Sequence, residues 1–528
     1  MALLTSIPLP MPIFVVSTLL ILGYLLYQAA LPKPIPGVPY HKDSARRGLD
    51  IMLRRPKDFD RCDFFADVFG GTIPNHHMLM RTNDRFKAQR KLLADTMTPS
   101  FLNSVASPHF YSASLHLINL WRLKSTITQG RPFNIFNDIH HMALDSIWAV
   151  AFGTEINTVN TQREGLEQHQ MNGFDFHLPV NPDQSAELPT PKLPDSFEAI
   201  MTLSHGMESA ALSPFPRLTH WAIRRGKDWR EAKEHKDRLV HESLDIAKSR
   251  LLASEKVTCA TDHLVFREQQ ASKKEGRAPE FDSPAAKDEL LGFLVAGHET
   301  TATTIQWAMK LLADHPEAQS RLRAALYNAY PGDYASGTIP DRSAISATAV
   351  PYLDAVIEEV LRCGQTFAGQ TRQARRDTIV LGHTVPAGTD VFLLSNGPGF
   401  VMPDPFSGRI MEENRSESSR ETKGRTVPEW DSETIGAFMP ERWLKDGDFD
   451  GSAGPNRQFG AGERGCFGRK MGLLKMRILF TLVFWCFELP PLPENLSGYS
   501  ALALTTRVPV RCYGRPRWLL QPDVMTHA

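Results

Sequence analysis

Cysteine is scarce in this chain, and the few cysteines are scattered. Six occur among 528 residues, at positions 62, 259, 363, 466, 486 and 512. No two stand at the spacing of a zinc-binding pair, which argues against a zinc site or a disulfide framework. Excess charge is lacking as well, because 59 basic residues balance 59 acidic ones. No nucleic-acid partner is therefore expected.

The N-terminal segment lacks charged residues, since none precedes Lys33. Residues 11–31 are nearly all apolar, and about 20 such residues are enough to cross a bilayer. A cleaved signal peptide usually has a shorter apolar region preceded by positive charge, so a retained transmembrane anchor is the favoured prediction. Basic residues and prolines follow at 32–48. They predict a stiff hinge on the cytoplasmic side of the anchor.

Residues 49–528 predict one helix-rich domain with small β-sheets, a mainly α (α+β) architecture. Amphipathic or buried helices are expected wherever apolar residues recur with helical periodicity. This periodicity is clearest at Leu102–Lys124, Asn137–Phe152, Asp228–Leu252, Ala285–Asp314, Pro316–Ala329 and Tyr352–Cys363.

Local signals mark several boundaries within this domain. Pro284 and Pro316 each stand at the first position of a predicted helix, where the missing amide hydrogen does no harm. Short apolar runs at 379–385 flank a glycine and predict a β-hairpin. Segments 181–195 and 408–434 have the composition of surface loops.

The stretch 459–468 reads Phe-Gly-Ala-Gly-Glu-Arg-Gly-Cys-Phe-Gly and presents Cys466 just before an apolar helix. Glycine lets the backbone turn tightly and approach a flat ligand closely. The free amides and the positive dipole end of a helix N-terminus favour a thiolate. A lone thiolate in this setting suits the axial position of a haem iron.

The same stretch resembles the cysteine loop of cytochrome P450 monooxygenases, F-x-x-G-x-R-x-C-x-G, at every fixed position. The resemblance covers nearly all of residues 49–513, with four motifs in the family's order. It implies the cytochrome P450 fold, haem b as cofactor and Cys466 as the iron ligand. The overall character is that of fungal microsomal members that tailor secondary metabolites.

The second motif is Ala-Gly-His-Glu-Thr-Thr at 296–301, midway along the predicted helix 285–314. Glycine and threonine are unfavourable there by propensity, which hints at a local function. The hexapeptide matches the family's A-G-x-[DE]-T-T signature. By that resemblance Thr300 donates a hydrogen bond to dioxygen and Glu299 relays protons, while His298 is expected to face away from the haem. A buried helix with a satisfied hydroxyl is the plainer alternative.

Glu359 and Arg362 lie three residues apart on one face of a predicted helix with apolar neighbours. Buried charges of this kind need hydrogen-bonded partners. The pair resembles the family's E-x-x-R motif, which implies a structural triad with Arg442 of the segment 438–443.

Three arginines are expected to neutralise the haem propionates, because guanidinium groups match carboxylate geometry. Arg464 belongs to the cysteine loop. Arg90 belongs to a segment that resembles the family's W-x-x-x-R, with Phe86 in place of tryptophan. Arg372 stands where many members carry a propionate-binding residue. Phe459 is expected to pack near the ligating sulfur and shield it from water.

The family binds its substrate above the haem, and the corresponding segments of this chain are apolar. By position they are residues 63–80, 197–212, 293–300, 365–369 and 502–506. Within them the expected contacts are Phe293, Ala296, Phe367 and Leu504, with Thr366 as a polar contact. Such a pocket suits a lipophilic small molecule.

Two departures from the family pattern stand out. Gly472 and Lys475 occupy positions where the family usually has alanine and glutamate, which predicts altered packing after the cysteine loop. Segment 40–51 is far too short, because family members normally have a first helix and two further strands there. We hypothesise a deletion or a mis-spliced gene model.

The leading prediction is a membrane-anchored monooxygenase that inserts one oxygen atom of dioxygen into a lipophilic small molecule. The chain has no convincing phosphate-cradling glycine motif before a helix, so an NADPH–cytochrome P450 reductase is the expected electron donor. Basic residues such as Arg469 and Lys470 would dock it. The resemblance implies a single-pass protein of the endoplasmic reticulum whose catalytic domain faces the cytoplasm.

Two other functions stay open. A haem-thiolate isomerase or dehydratase would need neither dioxygen nor a reductase, and Glu299 and Thr300 argue against it. An inactive haem-binding protein is the second alternative, because the N-terminal region is so short.

Overall fold

The computed structural model describes residues 21–24, 51–364, 366, 369–380, 382–395, 397, 399–403, 416–420, 428–497 and 512–520. The expected anchor at 11–31 and hinge at 32–48 lie outside these residues, apart from a helical piece at 21–24 with exposed side chains. In this described part of the chain, no helix has both the length and the apolar character needed to cross a membrane.

The described chain is dominated by helices. In chain order they are α1 (Asp63–Phe69), α2 (Asp84–Lys91), α3 (Pro99–Phe101), α4 (Ser107–Ile127), α5 (Phe136–Phe152), α6 (Thr158–Met171), α7 (Asp195–Ala211), α8 (Pro216–Ile223), α9 (Lys227–Leu252), α10 (Ala260–Glu275), α11 (Pro284–Asp314), α12 (Pro316–Ala329), α13 (Pro331–Ser336), α14 (Arg342–Ala347), α15 (Pro351–Gly364), α16 (Glu417–Arg420) and α17 (Arg469–Cys486).

Local capping explains where the long central helix begins. The hydroxyl of Ser283 accepts a hydrogen bond from the amide of Ala286 at 3.2 Å, and Pro284 takes the first helical position. Both features satisfy the exposed amides of a helix start. The helix predicted at 102–124 is confirmed, with a π-helical turn at 102–106 that continues into α4 at Ser107.

The strands are short and form small antiparallel sheets. They are β1 (Phe59–Asp60), β2 (Phe133–Asn134), β3 (Gly369–Ala374), β4 (Thr378–Val380), β5 (His383–Val385), β6 (Asp390–Leu394), β7 (Leu444–Lys445), β8 (Asp448–Phe449), β9 (Phe487–Glu488), β10 (Tyr513–Gly514) and β11 (Arg517–Trp518). The largest sheet has the order β1-β3-β6, and the others pair β2 with β10, β9 with β11, β4 with β5 and β7 with β8. The predicted hairpin at 379–385 is therefore confirmed as β4–β5.

The helices enclose one large apolar core. Helix α11 runs through it and packs against α5, α12, α15 and α17. Gly297 permits the close approach of α5, because a β-carbon there would stand 2.7 Å from Cγ1 of Ile147. The motif at 296–301 is therefore held against α5.

Candidate active site

The cysteine loop is shaped by glycine and closed by one short backbone hydrogen bond. The amide of Cys466 donates to the carbonyl of Phe459 at 2.6 Å. Gly460 and Gly462 adopt positive φ angles of 64° and 69°. A β-carbon on Gly462 would also stand 2.7 Å from the carbonyl oxygen of Met52. Only glycine fits both requirements at that position.

The side chain of Cys466 is exposed beside the cysteine loop. Desolvation by the surrounding protein atoms raises the pKa of its thiol, and the amide of Gly468 and the charges of Arg90 and Arg469 offset this only in part. Helix α17 begins three residues beyond the sulfur, at Arg469. A metal ion that binds the sulfur displaces its proton and so stabilises the anion.

Three arginines gather beside the cysteine loop: Arg61, Arg372 and Arg464. We call them the anion cluster, because their positive charges are suited to bind an anion. Burial lowers the pKa of Arg61 to about 9 and that of Arg372 to about 10, and the charge of Arg464 adds to both effects. Within the described residues, Nε of Arg61, Nη2 of Arg372 and Nη1 of Arg464 are buried without a hydrogen-bond partner.

Buried guanidinium groups that repel one another and keep orphaned N–H donors require an anion. Asp60 supplies one negative charge, 3.2 Å from Nη2 of Arg464. Burial raises the pKa of Asp60, but hydrogen bonds from Thr82 and from backbone amides hold it below its ordinary value. One carboxylate does not balance three cations. The two propionates of a haem fit this deficit in charge and in donor chemistry.

Arg464 is held firmly in place. Its Nε donates to Oγ1 of Thr82 at 2.8 Å, and its Nη2 donates to the carbonyl of Met80 at 2.5 Å. Its guanidinium carbon lies 3.9 Å from the ring centroid of Phe86. Phenylalanine at position 86 thus keeps the aromatic stack of the family motif but lacks the indole N–H.

The other expected cofactor contacts are placed less directly. Nη2 of Arg90 donates to the carbonyl of Gly465 at 3.0 Å, so this arginine buttresses the cysteine loop. The ring of Phe459 lies below the guanidinium of Arg469, with 5.6 Å between carbon and centroid. Their roles toward a haem stay predictions.

The motif on α11 forms an open face on an otherwise buried helix. Residues 288–294 and 301–313 are buried, whereas Ala296 is exposed and Glu299 and Thr300 are partly exposed. The hydroxyl of Thr300 donates to the carbonyl of Ala296 at 2.6 Å. The hydroxyl is therefore satisfied within the helix, as the plainer alternative had it, and it must leave that carbonyl to donate elsewhere. Fully buried His298 points into α5 instead.

The structural triad is assembled around the carboxylate of Glu359. Nη2 and Nε of Arg362 donate to it at 2.6 and 2.8 Å, and Nε of Arg442 donates at 3.1 Å. Burial would raise the pKa of Glu359, but the hydrogen bonds from Arg362 and the charge of Arg442 hold it below its ordinary value. Nε1 of Trp443 and the amide of Met439 complete the set.

Comparison with known proteins decides the family. The cytochrome P450 family model matches residues 51–397 and 436–497. The chain belongs to the cytochrome P450 family. Its cofactor is accordingly a haem with thiolate-bound iron, and the chain is a P450 monooxygenase.

Two fungal relatives cover most of this P450. A cytochrome P450 monooxygenase of Pestalotiopsis microspora, GME11363, is 32% identical over 553 aligned positions, covering 92% of this chain and 95% of the relative. The cytochrome P450 monooxygenase TRI13 of Fusarium sporotrichioides is 32% identical over 571 positions, with 93% and 96% covered.

A crystal structure of a cytochrome P450, CYP102L1, superposes with a TM-score of 0.61 at 18% identity, covering 91% of this chain and 88% of that one. The haem domain of cytochrome P450DA superposes with a TM-score of 0.61 at 16% identity, covering 90% of this chain and 86% of that one. At these identities the likeness concerns the fold.

Some residues of this P450 site escaped the sequence analysis. Arg61 follows directly after β1 and joins Arg372 because β1 pairs with β3, with Asp60 opposite Gln373. His140 on α5 places Nδ1 3.5 Å from Oε2 of Glu299. Both depend on contacts between distant segments. The sequence around Arg61 is dense in charged residues, so nothing local singled it out.

The predicted pocket segments are placed only in part. The loop before α2 is tied to α11, since the amide of Asn75 donates to Asp288 at 2.8 Å and that of His77 donates to Glu289 at 2.7 Å. The hydroxyl of Thr366 lies 2.7 Å from that of Thr304, also on α11. Positions 365, 367 and 502–506, with Phe367 and Leu504, lie outside the described residues.

Lys475 on α17 marks the departure seen in the sequence. Its side chain is fully buried, and Nζ donates to the carbonyls of Ala143 at 3.2 Å and Gly297 at 3.4 Å. Burial lowers its pKa to about 7. The predicted change of packing therefore joins α17, α5 and α11 at the active-site motif.

Proposed function

We propose that this P450 inserts one oxygen atom into a C–H bond or an alkene of a lipophilic small molecule. The observation that carries the proposal is the open acid and alcohol face of α11. Glu299 and Thr300 are accessible on a helix that is buried on either side of them. An enzyme that splits dioxygen must deliver protons, and a carboxyl and a hydroxyl at one place can do so.

The residues of this chain have distinct tasks in the proposal. Cys466 would ligate the iron, and the anion cluster would hold the propionates. Haem, when bound, supplies the one-electron and oxygen chemistry that no side chain can perform. Thr300 would turn its hydroxyl from the carbonyl of Ala296 toward dioxygen. Glu299 would pass protons from solvent to the hydroxyl of Thr300.

The stoichiometry follows from the reaction class. One substrate, one dioxygen, two electrons and two protons give one water and one product with a single added oxygen atom, an alcohol from a C–H bond or an epoxide from an alkene. NADPH supplies the two electrons through a flavoprotein reductase. The exposed side chains of Arg469 and Lys470 at the start of α17 support docking of an acidic partner on this face.

We further propose that residues 11–31 anchor the protein in the endoplasmic reticulum, with residues 49–528 as a catalytic domain on the cytoplasmic side. Deletion of residues 2–31 should move the protein from the membrane fraction to the supernatant. If the shortened protein sediments with membranes as before, the anchor proposal is wrong.

The decisive experiment uses labelled dioxygen. The protein is expressed in yeast microsomes with a fungal reductase and incubated with lipid extract of a fungal culture, NADPH and ¹⁸O₂. We expect a product that carries one ¹⁸O atom and forms only with NADPH, along with the family's absorbance band of the reduced carbon-monoxide complex. Product formed without NADPH and dioxygen would indicate an isomerase or dehydratase. Absence of the band would indicate an inactive chain.

Two variants test the acid and the alcohol. E299Q and T300A should keep the carbon-monoxide band but release more peroxide and make about 100-fold less product, the scale of general acid catalysis. T301A is the matched control, because Thr301 is the buried neighbour on the same helix. If E299Q and T300A both form product at the parental rate, the assignment of the catalytic residues fails.

A further inference from the structure

We infer that His140 is a positioning residue for Glu299, a step that rests on the proposed function. His140 lies on α5 and is buried. Its Nδ1 stands 3.5 Å from Oε2 of Glu299 and 3.3 Å from Nε2 of His298. One imidazole nitrogen therefore faces both the expected catalytic acid and a second buried ring.

The surroundings of the two histidines determine which of them carries the hydrogen between their rings. Burial lowers the pKa of His298 well below its ordinary value, so that ring is neutral. Its Nδ1 is buried without a hydrogen-bond partner among the described residues. A proton on that Nδ1 leaves Nε2 as an acceptor. The hydrogen between the rings then sits on Nδ1 of His140, where it also faces the carboxylate of Glu299.

The opposite placement of the hydrogen, on Nε2 of His298, is unfavourable. A proton on Nε2 of His298 would turn the lone pair of Nδ1 of His140 toward the carboxylate oxygen of Glu299. Two acceptors would then face each other at 3.5 Å in a buried place. The geometry thus selects the tautomer in which the N–H at Nδ1 of His140 faces the carboxylate of Glu299.

The helices hold this contact rigidly. Residue Gly297 lets α5 approach α11 one position before His298, and Lys475 ties the carbonyls of Ala143 and Gly297 together. The ring of Phe136 covers His140 from its own helix, with 4.5 Å between centroids. His140 cannot turn away without breaking this packing.

A fixed donor at Nδ1 has a consequence for the acid. The side chain of Glu299 is 31% exposed, so it has room to choose among several rotamers. The attraction between this N–H and Oε2 restrains the carboxylate against α5, next to Thr300 on the open face. His140 thereby keeps the acid in the geometry that proton delivery needs, without touching the reacting atoms.

Three substitutions separate this role from plain packing. H140F fills the same volume without a donor. H140N restores an N–H close to the position of Nδ1. H141F is the matched control, because His141 is the next buried residue on α5 and packs on Gln162 and Phe197 instead.

The readouts are product formed per NADPH consumed and the solvent deuterium isotope effect on product formation, with substrate found in the ¹⁸O₂ experiment. We expect H140F to lower coupling about tenfold, the effect of one charge-assisted hydrogen bond. The isotope effect should rise, while the carbon-monoxide band and the substrate dissociation constant stay unchanged. H140N should recover most of the coupling, and H141F should match the parent.

The outcomes distinguish the two proposals. If H140F couples as well as the parent while E299Q does not, the inference about His140 is wrong and the proposed function stands. If E299Q itself couples normally, the proposed function fails first. If H140F loses the carbon-monoxide band, the result for H140N decides. The inference is overturned if H140N keeps the band but couples as poorly as E299Q.

Discussion

Lys475 provides the sharpest test of the energetics, because it is a buried ammonium group whose partners are two backbone carbonyls and an aromatic ring. The ring centroid of Phe110 lies 5.1 Å from Nζ. Burial lowers the pKa of Lys475 from 10.5 to about 7. The perturbation we choose is K475M, since methionine has a similar length and no charge.

Proton linkage gives the sign and the size of the effect of Lys475 on the free energy of unfolding. The folded-state pKa lies below the unfolded one, so the unfolded chain binds more protons between pH 7 and 10.5 and stability rises with pH in that window. At pH 7 the penalty has an upper limit of about 4 kcal/mol, of which about 3 kcal/mol is recovered by pH 9.5. Hydrogen bonds to the carbonyls of Ala143 and Gly297 reduce both numbers.

The assay is urea unfolding of the haem-loaded protein, followed by tryptophan fluorescence at pH 7 and pH 9.5. We expect K475M to be more stable than the parent by about 1–4 kcal/mol at pH 7 and by clearly less at pH 9.5. The carbonyls keep their helical hydrogen bonds, so the variant leaves no orphaned acceptor.

K124M is the matched control for this prediction. Nζ of Lys124 stands 2.6 Å from Oδ1 of the buried Asp138. Removal of the cation leaves that carboxylate with the N–H of Trp121 but without its counter-charge, so this substitution should destabilise the fold by about 3–5 kcal/mol. If K475M destabilises as much as K124M, or if its effect is the same at both pH values, our account of the buried ammonium is refuted.

Three further substitutions address the cofactor and the core. E359Q leaves buried arginines without their carboxylate and should lower the free energy of unfolding by about 3–5 kcal/mol, measured in urea at pH 7. R61M removes one positive charge of the anion cluster, so it should stabilise the haem-free protein but speed the transfer of haem to apomyoglobin. R81M removes an arginine of the exposed pair with Asp63 and should change neither the stability nor the rate of transfer. F86W strengthens the ring beneath Arg464 and should slow that transfer.

Sequence reasoning succeeded where the signal is local. Pro284 marks the start of α11 and occupies its first turn as predicted, and the structure adds the cap by the hydroxyl of Ser283. The spacing of Glu359 and Arg362 puts both side chains on one helical face, so their contact needs no knowledge of the fold. The cysteine loop is equally local, because its glycines fix the turn.

The missed features depend on distant segments. Arg61 joins the anion cluster only through the pairing of β1 with β3, and His140 meets Glu299 only because α5 crosses α11 at a glycine. No sequence period encodes such encounters.

The short segment at 40–51 bears directly on the anion cluster. The alignment with the Pestalotiopsis relative spans 553 positions, more than the 528 residues of this chain, so that relative has segments without a counterpart here. Among the described residues the main sheet has the three strands β1-β3-β6. β1 pairs directly with β3, and this register brings Arg61 to Arg372.

Sequencing of the full transcript tests our hypothesis of a mis-spliced gene model. If the transcript encodes two more strands and these insert beside β3, Arg61 would move away from Arg372. R61M in the longer protein would then leave haem transfer unchanged, while the same substitution in the present chain would speed it. If the transcript matches the present sequence, the hypothesis of a gene-model error is wrong. The β1–β3 register would then be the native one, and Arg61 would belong to the site.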